Sequence, residues 1–209
     1  MDKIKILLLE NKAWAQSRKD IDPDYYSKMA IDQKPKYLWI GCADSRVPPS
    51  EITNTDPGEM FVHRNIANLV VHTDTNLLSV LQYAVEVLKI PHIIVCGHYN
   101  CGGVRAALMN QSYGLIDNWV RNIKDTLFHH KDEIEKIDGE WNKVNKLVEI
   151  NVVEQVKNVA HTAIVQKAWK EGQYPMIHGW VYDLNTGLLK QVTTITPESD
   201  MDKIYKYTF

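Results

Sequence analysis

The stretch His92-Ile-Ile-Val-Cys-Gly-His98-Tyr-Asn-Cys101-Gly-Gly-Val-Arg-Ala-Ala-Leu108 decides the fold of this chain. Its β-branched apolar run predicts a buried strand, and the two glycines after Cys101 predict a turn that opens a helix. A strand that leads directly into a helix is the unit of open α/β sheets, which bind ligands at the carboxyl ends of their strands. His98 and Cys101 are therefore expected in a strand-to-helix loop, where such a sheet holds a site.

A second cysteine ends another apolar run, Tyr37-Leu-Trp-Ile-Gly-Cys42. Two thiolates and one imidazole suit Zn²⁺, and three protein ligands with an open fourth position are typical of a catalytic zinc site. The sequence thus predicts one Zn²⁺ per chain, held by Cys42, His98 and Cys101. Cys96 stands inside an apolar run and is predicted to be a small buried side chain.

Helices alternate with short strands along the chain, which predicts an α/β fold. We expect a mainly parallel four-stranded sheet with an added antiparallel edge strand, flanked by helices. The predicted strands are 36–41, 60–65, 92–97, 176–182 and the edge strand 188–194. The predicted helices are two within 3–29, interrupted near Asp22-Pro23, and then about 75–89, 117–138 and 144–171. We interpret residues 1–209 as one domain, with an N-terminal helical arm at 1–35 and an α/β core at 36–195.

Composition excludes several classes of partner. The 209 residues are 44% hydrophobic, enough for one sizeable core, and the formal charge of −2 gives no reason to expect nucleic acid or an anionic membrane. Three cysteines offer no disulfide framework, so a reducing compartment is expected. The apolar run near the amino terminus is too short for a signal peptide, and no run approaches membrane-spanning length. We expect a cytoplasmic protein.

The segments that carry the three ligands resemble the β-class carbonic anhydrases. Cys42-Ala-Asp44-Ser-Arg46 is followed later in the chain by His98-x-x-Cys101-Gly-Gly103. The similarity spans about residues 39–189. It also includes Phe61-Val-His-Arg-Asn-Ile-Ala-Asn-Leu-Val70, Ser79-Val-Leu-Gln-Tyr-Ala-Val85 and Ile177-His-Gly-Trp-Val-Tyr182.

The resemblance implies a zinc lyase that reversibly hydrates CO2 to bicarbonate and a proton, by attack of zinc-bound hydroxide on CO2. CO2 and bicarbonate would be its small-molecule partners. The family also implies a homo-oligomer, a dimer at minimum with a tetramer as the larger form. The amphipathic N-terminal helices are the candidates for contact with a partner subunit.

The family's pattern also implies that Asp44 and Arg46 act catalytically. A guanidinium can hold a carboxylate in a bidentate grip and keep it ionised, and the fixed carboxylate could then orient the attacking oxygen. Two alternatives stay open. The pair could be a loop salt bridge without a catalytic part, or Asp44 could be the fourth zinc ligand in a closed, inactive state.

Trp39, Arg64 and Tyr182 resemble the non-catalytic bicarbonate pocket of the allosteric, bicarbonate-inhibited subgroup. An Arg fork with an indole N–H and a phenol O–H is a suitable cradle for an oxyanion. The alternative is that the two aromatics are core or interface residues and that Arg64 pairs with an acid. Tyr83 matches a position linked to proton transfer, but its first interpretation is a helix core residue. Gly102 could place its N–H near the substrate, or it could only permit the turn.

Two other functions are compatible with this ligand set. One is a hydrolase of a CO2-like molecule, such as carbon disulfide or carbonyl sulfide. The other is a non-catalytic zinc-binding or anion-sensing protein, which would be expected to lack Asp44 or Arg46, and both are present.

Overall fold

The structure is a computed structural model that describes residues 2–172 and 174–209. The chain forms two compact units, Met1–Lys34 and Pro35–Phe209. The first unit contains two helices, as predicted, α1 (Lys3–Ile21) and α2 (Tyr25–Met29). The boundary between the units lies close to the predicted end of the arm, while the single-domain organisation stays a prediction.

The first unit is rich in exposed apolar side chains. The carboxylate of Asp2 caps α1 by accepting a hydrogen bond from the Ile4 N–H at 3.1 Å. None of the α1 side chains is buried. Its large exposed apolar residues are Ile4, Leu7, Leu8, Leu9, Trp14 and Ile21.

The second unit is built on a sheet that, within the described residues, has five strands in the order β2-β1-β3-β4-β5. The first four strands pair in parallel, and β5 is an antiparallel edge strand on β4. The predicted fold class is therefore confirmed. The strands are β1 (Tyr37–Cys42), β2 (Met60–Asn65), β3 (His92–His98), β4 (Met176–Asp183) and β5 (Leu188–Ile195).

Helices connect and flank these strands. They are α3 (Pro49–Ile52), α4 (Thr75–Gln82), α5 (Gly102–Leu108), α6 (Ile116–His129), α7 (Lys131–Glu135), α8 (Glu140–Ala160) and α9 (Ala163–Gly172). Short 3₁₀ turns occur at Ile66–Asn68 and Lys203–Tyr205, and a π-helical turn, Tyr83–Val87, continues α4. Among the described residues, no helix is long and apolar enough to cross a membrane.

Two predicted helices are each interrupted. The segment 117–138 forms α6 and α7 rather than one helix, and the predicted helix 144–171 is wrong because α8 ends at Ala160. Thr162 explains the second break. Its hydroxyl accepts a hydrogen bond from the Val165 N–H at 3.3 Å, as a helix cap does, and its carbonyl accepts one from the Gln166 N–H at 3.2 Å. A new helix therefore starts there.

The two faces of the sheet bury different sets of side chains, as strand alternation requires. One face carries Leu38, Ile40 and Cys42 into the main core, which includes the apolar side chains of α8. Gly97 allows this close packing, because a Cβ atom there would lie 2.7 Å from a methyl group of Val152. The opposite face carries a smaller cluster, Trp39, Ile94 and Cys96, with Trp180 and Tyr182 packed against it.

Buried polar side chains of α8 hold the segment that follows β2. The Gln155 side chain accepts a hydrogen bond from the Val70 N–H at 2.7 Å and donates one to Asn151 at 3.1 Å. Asn151 in turn donates to the Ala67 carbonyl at 3.1 Å. Ala67 has a left-handed φ of 63°, which disfavours a residue with a Cβ. These bonds therefore hold a backbone shape that local preference would not keep.

Replacing Gln155 with Ala should strongly destabilise the fold. The Val70 N–H and the Asn151 side chain would lose buried partners, and each unsatisfied group costs about 1–3 kcal/mol. We expect the free energy of unfolding to fall by roughly 2–4 kcal/mol in urea titrations. The exposed Gln111 supplies the control, since Gln111→Ala should change it by less than about 0.5 kcal/mol. Equal effects of the two changes would contradict this role of Gln155.

Candidate metal centre

Cys42, His98 and Cys101 come together at one edge of the sheet. Cys42 ends β1, His98 ends β3, and Cys101 immediately precedes α5. Because β1 and β3 are adjacent and parallel, their carboxyl ends meet, as the strand-to-helix pattern predicted. The three donor atoms lie within 4.8 Å of one another. The residues are 5%, 1% and 3% exposed, so the cluster is a buried group of metal-binding atoms.

The His98 ring is oriented by its own loop. Its Nδ1 lies 2.9 Å from the Tyr99 carbonyl oxygen, and a carbonyl can only accept, so Nδ1 carries the hydrogen. The Nε2 atom is then the one with a free lone pair. It is buried and has no hydrogen-bond partner among residues 2–172 and 174–209. A buried nitrogen of this kind is suited to bind a metal.

The two sulfurs share their protons unequally. A hydrogen bond from Cys101 is the main cause that lowers the pKa of the Cys42 thiol to about 4. The same contact with Cys42, together with burial, raises the pKa of Cys101. Without a cation, the pair therefore favours one thiolate and one thiol. A divalent cation between them would favour loss of the second proton as well.

Asp44 and Arg46 form a two-point ion pair beside the cluster. Arg46 donates from Nε to Oδ1 at 2.9 Å and from Nη2 to Oδ2 at 2.7 Å, and its N–H also donates to Oδ1 at 3.0 Å. Hydrogen bonds from Arg46 hold the pKa of Asp44 well below its usual range. The Asp44 Oδ2 atom lies 3.6 Å from His98 Nε2, so an ionised carboxylate stands next to the candidate ligands while Arg46 occupies both its oxygens.

Arg64 fixes the backbone that connects Cys42 with Asp44. It donates from Nε to the Cys42 carbonyl at 2.8 Å and from Nη2 to the Asp44 carbonyl at 2.5 Å. The alternative, in which Arg64 pairs with an acidic side chain, does not agree with these bonds. Arg64 therefore joins β2 to the segment that carries one ligand and the ion pair.

Trp39 and Tyr182 lie on the sheet face opposite the main core. Trp39 is fully buried, yet its indole N–H has no hydrogen-bond partner in the described parts of the chain. The indole covers Gly41, because a Cβ atom there would lie 2.1 Å from the ring nitrogen. Gly41 pairs in register with Arg64. The indole thus approaches the strand position that carries the guanidinium, and Tyr182 packs in the same cluster as Trp39.

The structure disagrees with one interpretation of Tyr83 and with one of the two interpretations of Gly102. Tyr83 is 44% exposed, so its assignment to the helix core is wrong. Its neighbours Ala84 and Val85 fill the buried face and leave Tyr83 outside, 5.9 Å from the ring of Phe61. A Cβ atom at Gly102 would meet nothing within 4 Å, and Gly102 is not among the positive-φ glycines. The turn therefore does not require glycine at this position.

Cys96 is buried, as predicted. It is 0% exposed and packs with Trp39 and Ile94. Burial raises the pKa of its thiol. It lies on the sheet face opposite Cys42 and outside the group of three donors.

Sequence reasoning missed the side chains of α8 that contact the two ligand-bearing regions. Asn151 and Gln155 reach the segment beside Cys42, and Asn145 and Glu149 reach the loop between His98 and Cys101. The available signal was the recurrence of polar side chains four residues apart, at Asn145 and Glu149 and again at Asn151 and Gln155, which places each pair on one face of the helix.

Comparisons with known proteins agree on one family. The family model described as carbonic anhydrase matches residues 37–189. A carbonic anhydrase of Emericella nidulans is 48% identical over 200 residues, which cover 95% of this chain and 88% of that protein. The Coccomyxa β-carbonic anhydrase solved with acetazolamide has a TM-score of 0.89 and 42% identity, covering 94% of this chain and 89% of that chain. A tetrameric β-carbonic anhydrase of Sordaria macrospora has a TM-score of 0.89 and 35% identity, covering 93% and 100%.

The cysteines can be tested by metal content. Replacing Cys42 or Cys101 with Ala should reduce the zinc content of the purified protein to roughly a tenth of that of the wild type or less, because each change removes a thiolate from a three-ligand set. Cys96→Ala is the matched control and should keep its zinc. The measurement is elemental analysis after extensive dialysis. Loss of zinc from Cys96→Ala with retention in Cys101→Ala would show that the assignment is wrong.

Proposed function

Because the chain belongs to the β-class of the carbonic anhydrase family, we propose that it hydrates CO2 reversibly at one zinc ion held by Cys42, His98 and Cys101. The products are bicarbonate and a proton. The observation that carries this proposal is the buried cluster of two sulfurs and one imidazole next to the ionised Asp44. Asp44 and Arg46 are the proposed catalytic residues.

The three side chains fit a zinc ion. The donor atoms lie within 4.8 Å of one another, so small movements of the side chains would bring all three to the usual zinc distances of about 2.0–2.3 Å. Two thiolates would balance its charge, and the Tyr99 carbonyl fixes the imidazole tautomer that leaves Nε2 free. When bound, zinc would supply a positive centre that acidifies a water molecule and makes it nucleophilic near neutral pH.

Asp44 is suited to orient that water. Because Arg46 holds its carboxylate at both oxygens, Asp44 can accept a hydrogen bond in a fixed direction and turn a lone pair of the water toward the carbon of CO2. Its low pKa means that it accepts the hydrogen bond without keeping the proton. The proton must therefore leave to solvent or buffer rather than stay on Asp44.

Space for CO2 adjoins Gly102. A cavity of about 380 Å³ is lined by Gly102, by the apolar side chains of Ile66, Ala106 and Met109, and by Arg105. Its apolar part suits uncharged CO2, while the cation of Arg105 suits the anionic product. The exposed Tyr83 is a candidate for proton transfer only by family resemblance.

Asp44→Asn tests the proposed catalytic role. The amide keeps the size of the side chain but loses the charge, so we expect about one zinc per chain and a turnover lowered roughly 100-fold or more. The measurement is stopped-flow CO2 hydration together with elemental analysis. Asp125 is the matched control, because it also accepts a hydrogen bond from an Arg Nε, that of Arg121 at 3.0 Å, but on an exposed helix face. Asp125→Asn should leave turnover unchanged.

Unchanged turnover in Asp44→Asn would reduce the pair to a loop salt bridge. A wild-type protein that binds zinc but consumes carbonyl sulfide or carbon disulfide in place of CO2 would favour the hydrolase alternative. A protein that binds zinc and converts none of the three would favour an anion sensor.

We also propose that bicarbonate inhibits the enzyme at a second site formed by Trp39, Arg64 and Tyr182. The indole N–H of Trp39, which has no partner among the described residues, and the phenol of Tyr182 lie in one cluster on the sheet face that also carries Arg64. An anion there would gain an Arg fork and two neutral donors. These features support the pocket that the family resemblance implies.

Arg64 offers a route from that pocket to the catalytic pair. Its bonds to the Cys42 and Asp44 carbonyls would weaken if an anion drew the guanidinium away. The loop could then release Asp44 from Arg46 and move its carboxylate onto the ligand cluster. The distance is short, because Asp44 Oδ2 already lies 3.6 Å from His98 Nε2. Inhibition requires that bicarbonate bind this closed state more tightly than the open one.

Tyr182→Phe and Trp39→Phe should relieve bicarbonate inhibition. Each removes one proposed donor, so the bicarbonate concentration for half inhibition should rise about fivefold or more, the low end of usual coupling strengths. The hydration rate is measured against added bicarbonate and against pH, with zinc content checked. Tyr37→Phe, on the same sheet face but at the opposite end of β1, should behave as the wild type. A wild-type response in all three variants would make the trio ordinary packing.

We further propose a cytoplasmic homo-oligomer, at least a dimer. The exposed Leu7, Leu8 and Leu9 of α1 support burial of the N-terminal unit against another copy. A tetramer would match the Sordaria macrospora relatives that are described as tetrameric. The three free, buried cysteines support a reducing compartment, in which thiol ligands persist.

A further inference from the structure

A neighbouring helix supports the backbone of the loop between His98 and Cys101. In this loop Asn100 has a left-handed φ of 57°, a conformation that is uncommon outside glycine but that asparagine tolerates better than most residues. The Asn100 N–H donates to the side-chain oxygen of Asn145 at 2.9 Å. Asn145 lies in α8, so a rigid helix, rather than the loop itself, satisfies this backbone group.

A second bond from α8 fixes the residue next to His98. The Tyr99 hydroxyl donates to Glu149 Oε1 at 2.5 Å. Lys190 of β5 holds the same carboxylate oxygen at 2.7 Å. Glu149 is therefore positioned from two sides and gives the Tyr99 ring a single location.

Tyr99 passes this constraint on to His98. Its carbonyl accepts the His98 Nδ1 hydrogen at 2.9 Å, and its N–H donates to the Tyr182 carbonyl at 3.0 Å. The ring, the amide and the carbonyl of one residue are thus all bonded. Any rotation of the Tyr99 peptide would turn the imidazole away from the two sulfurs.

We infer that Asn145 and Glu149 are positioning residues that hold the His98–Cys101 loop ready for the metal. The inference rests on the proposed zinc centre, and neither residue contacts a candidate ligand directly. Both side chains are half-buried, while Val144, Leu147 and Val148 supply the buried packing of α8. Their loss should therefore affect the ligand loop more than the core.

The test is the rate at which the purified holoprotein releases zinc to a large excess of a coloured chelator. Asn145→Ala removes the acceptor for the Asn100 N–H, and Glu149→Gln removes the charge that strengthens the bonds of Glu149 to Tyr99 and Lys190. Each should release zinc up to about 10-fold faster than the wild type, and the double variant up to about 100-fold faster, the usual range for partners that orient a ligand. Asn145→Asp keeps an acceptor oxygen at the same place and should restore slow release.

Two matched controls lie on the same helix. Glu154 resembles Glu149 in exposure, with side chains 29% and 23% exposed, and each carboxylate lies 2.7 Å from a lysine nitrogen. The partner of Glu154 is Lys157 of the same helix rather than a residue of another element. Asn142 donates to the Asp138 carbonyl at the start of α8. Glu154→Gln and Asn142→Ala should release zinc at the wild-type rate.

Release rates of Asn145→Ala and Glu149→Gln equal to those of the controls would overturn the inference. The inference would also fail if zinc release were faster only in proportion to a lower urea midpoint. In that case a control variant with an equally lowered midpoint should release zinc equally fast. If Asn145→Ala does not fold, Glu149→Gln and Asn145→Asp still decide. Wild-type protein that carries no zinc would instead refute the proposed centre, which is a separate outcome.

Discussion

The structure depends on one constraint, which is that two sulfurs and an imidazole nitrogen are buried within 4.8 Å of one another. Burying polar atoms without partners is costly, and burying a thiolate is more so. In the protein alone, a shared proton satisfies Cys42 and Cys101 only in part, and His98 Nε2 has no partner among the described residues. A metal ion bound by the three atoms would satisfy all of them at once. The surrounding elements therefore keep these atoms close together despite the free energy that their burial costs.

Separate parts of the fold hold the three donor atoms in place. Parallel pairing of β1 and β3 brings Cys42 and His98 to one edge. Polar side chains of α8 then fix the two irregular segments that complete the cluster, one containing Ala67 and one containing Asn100, both in left-handed conformations. Because one rigid helix holds both segments, their positions relative to each other are set by a single element. This arrangement provides preorganisation without a long, rigid loop.

Local sequence patterns predicted much of this arrangement. They did not predict the features that depend on contacts between residues far apart in the sequence. The bounds of β2 agree with the prediction, β1 is shifted by one residue at both ends, and β3 extends one residue further, to His98. The glycine turn after Cys101 and the choice of two thiols and an imidazole also predicted that these three side chains come together. The break at Thr162 was missed because one hydroxyl cap interrupts an otherwise continuous helical pattern. The exposure of Tyr83 could not be predicted from the helix alone, since it depends on which neighbours fill the core.

The contacts of α8 were missed for a different reason. Each joins residues far apart in sequence, such as Asn145 with Asn100 and Gln155 with Val70, and periodicity shows only which helix face is polar. It does not show which loop that face meets. Polar side chains on the buried face of a helix, such as Asn151 and Gln155, nevertheless require hydrogen-bond partners.

Arg64 connects this supported cluster with the other face of the sheet. Its carbon chain starts on the face of Trp39, while its guanidinium bonds to the backbone carbonyls of Cys42 and Asp44. A change in the environment of the guanidinium would therefore alter the support of the backbone at Asp44. The loop between His98 and Cys101 is instead held from α8, through Asn145 and Glu149. The two parts of the cluster thus rest on different elements of the fold, because Arg64 of β2 supports the backbone after Cys42 and α8 supports the loop that carries His98 and Cys101.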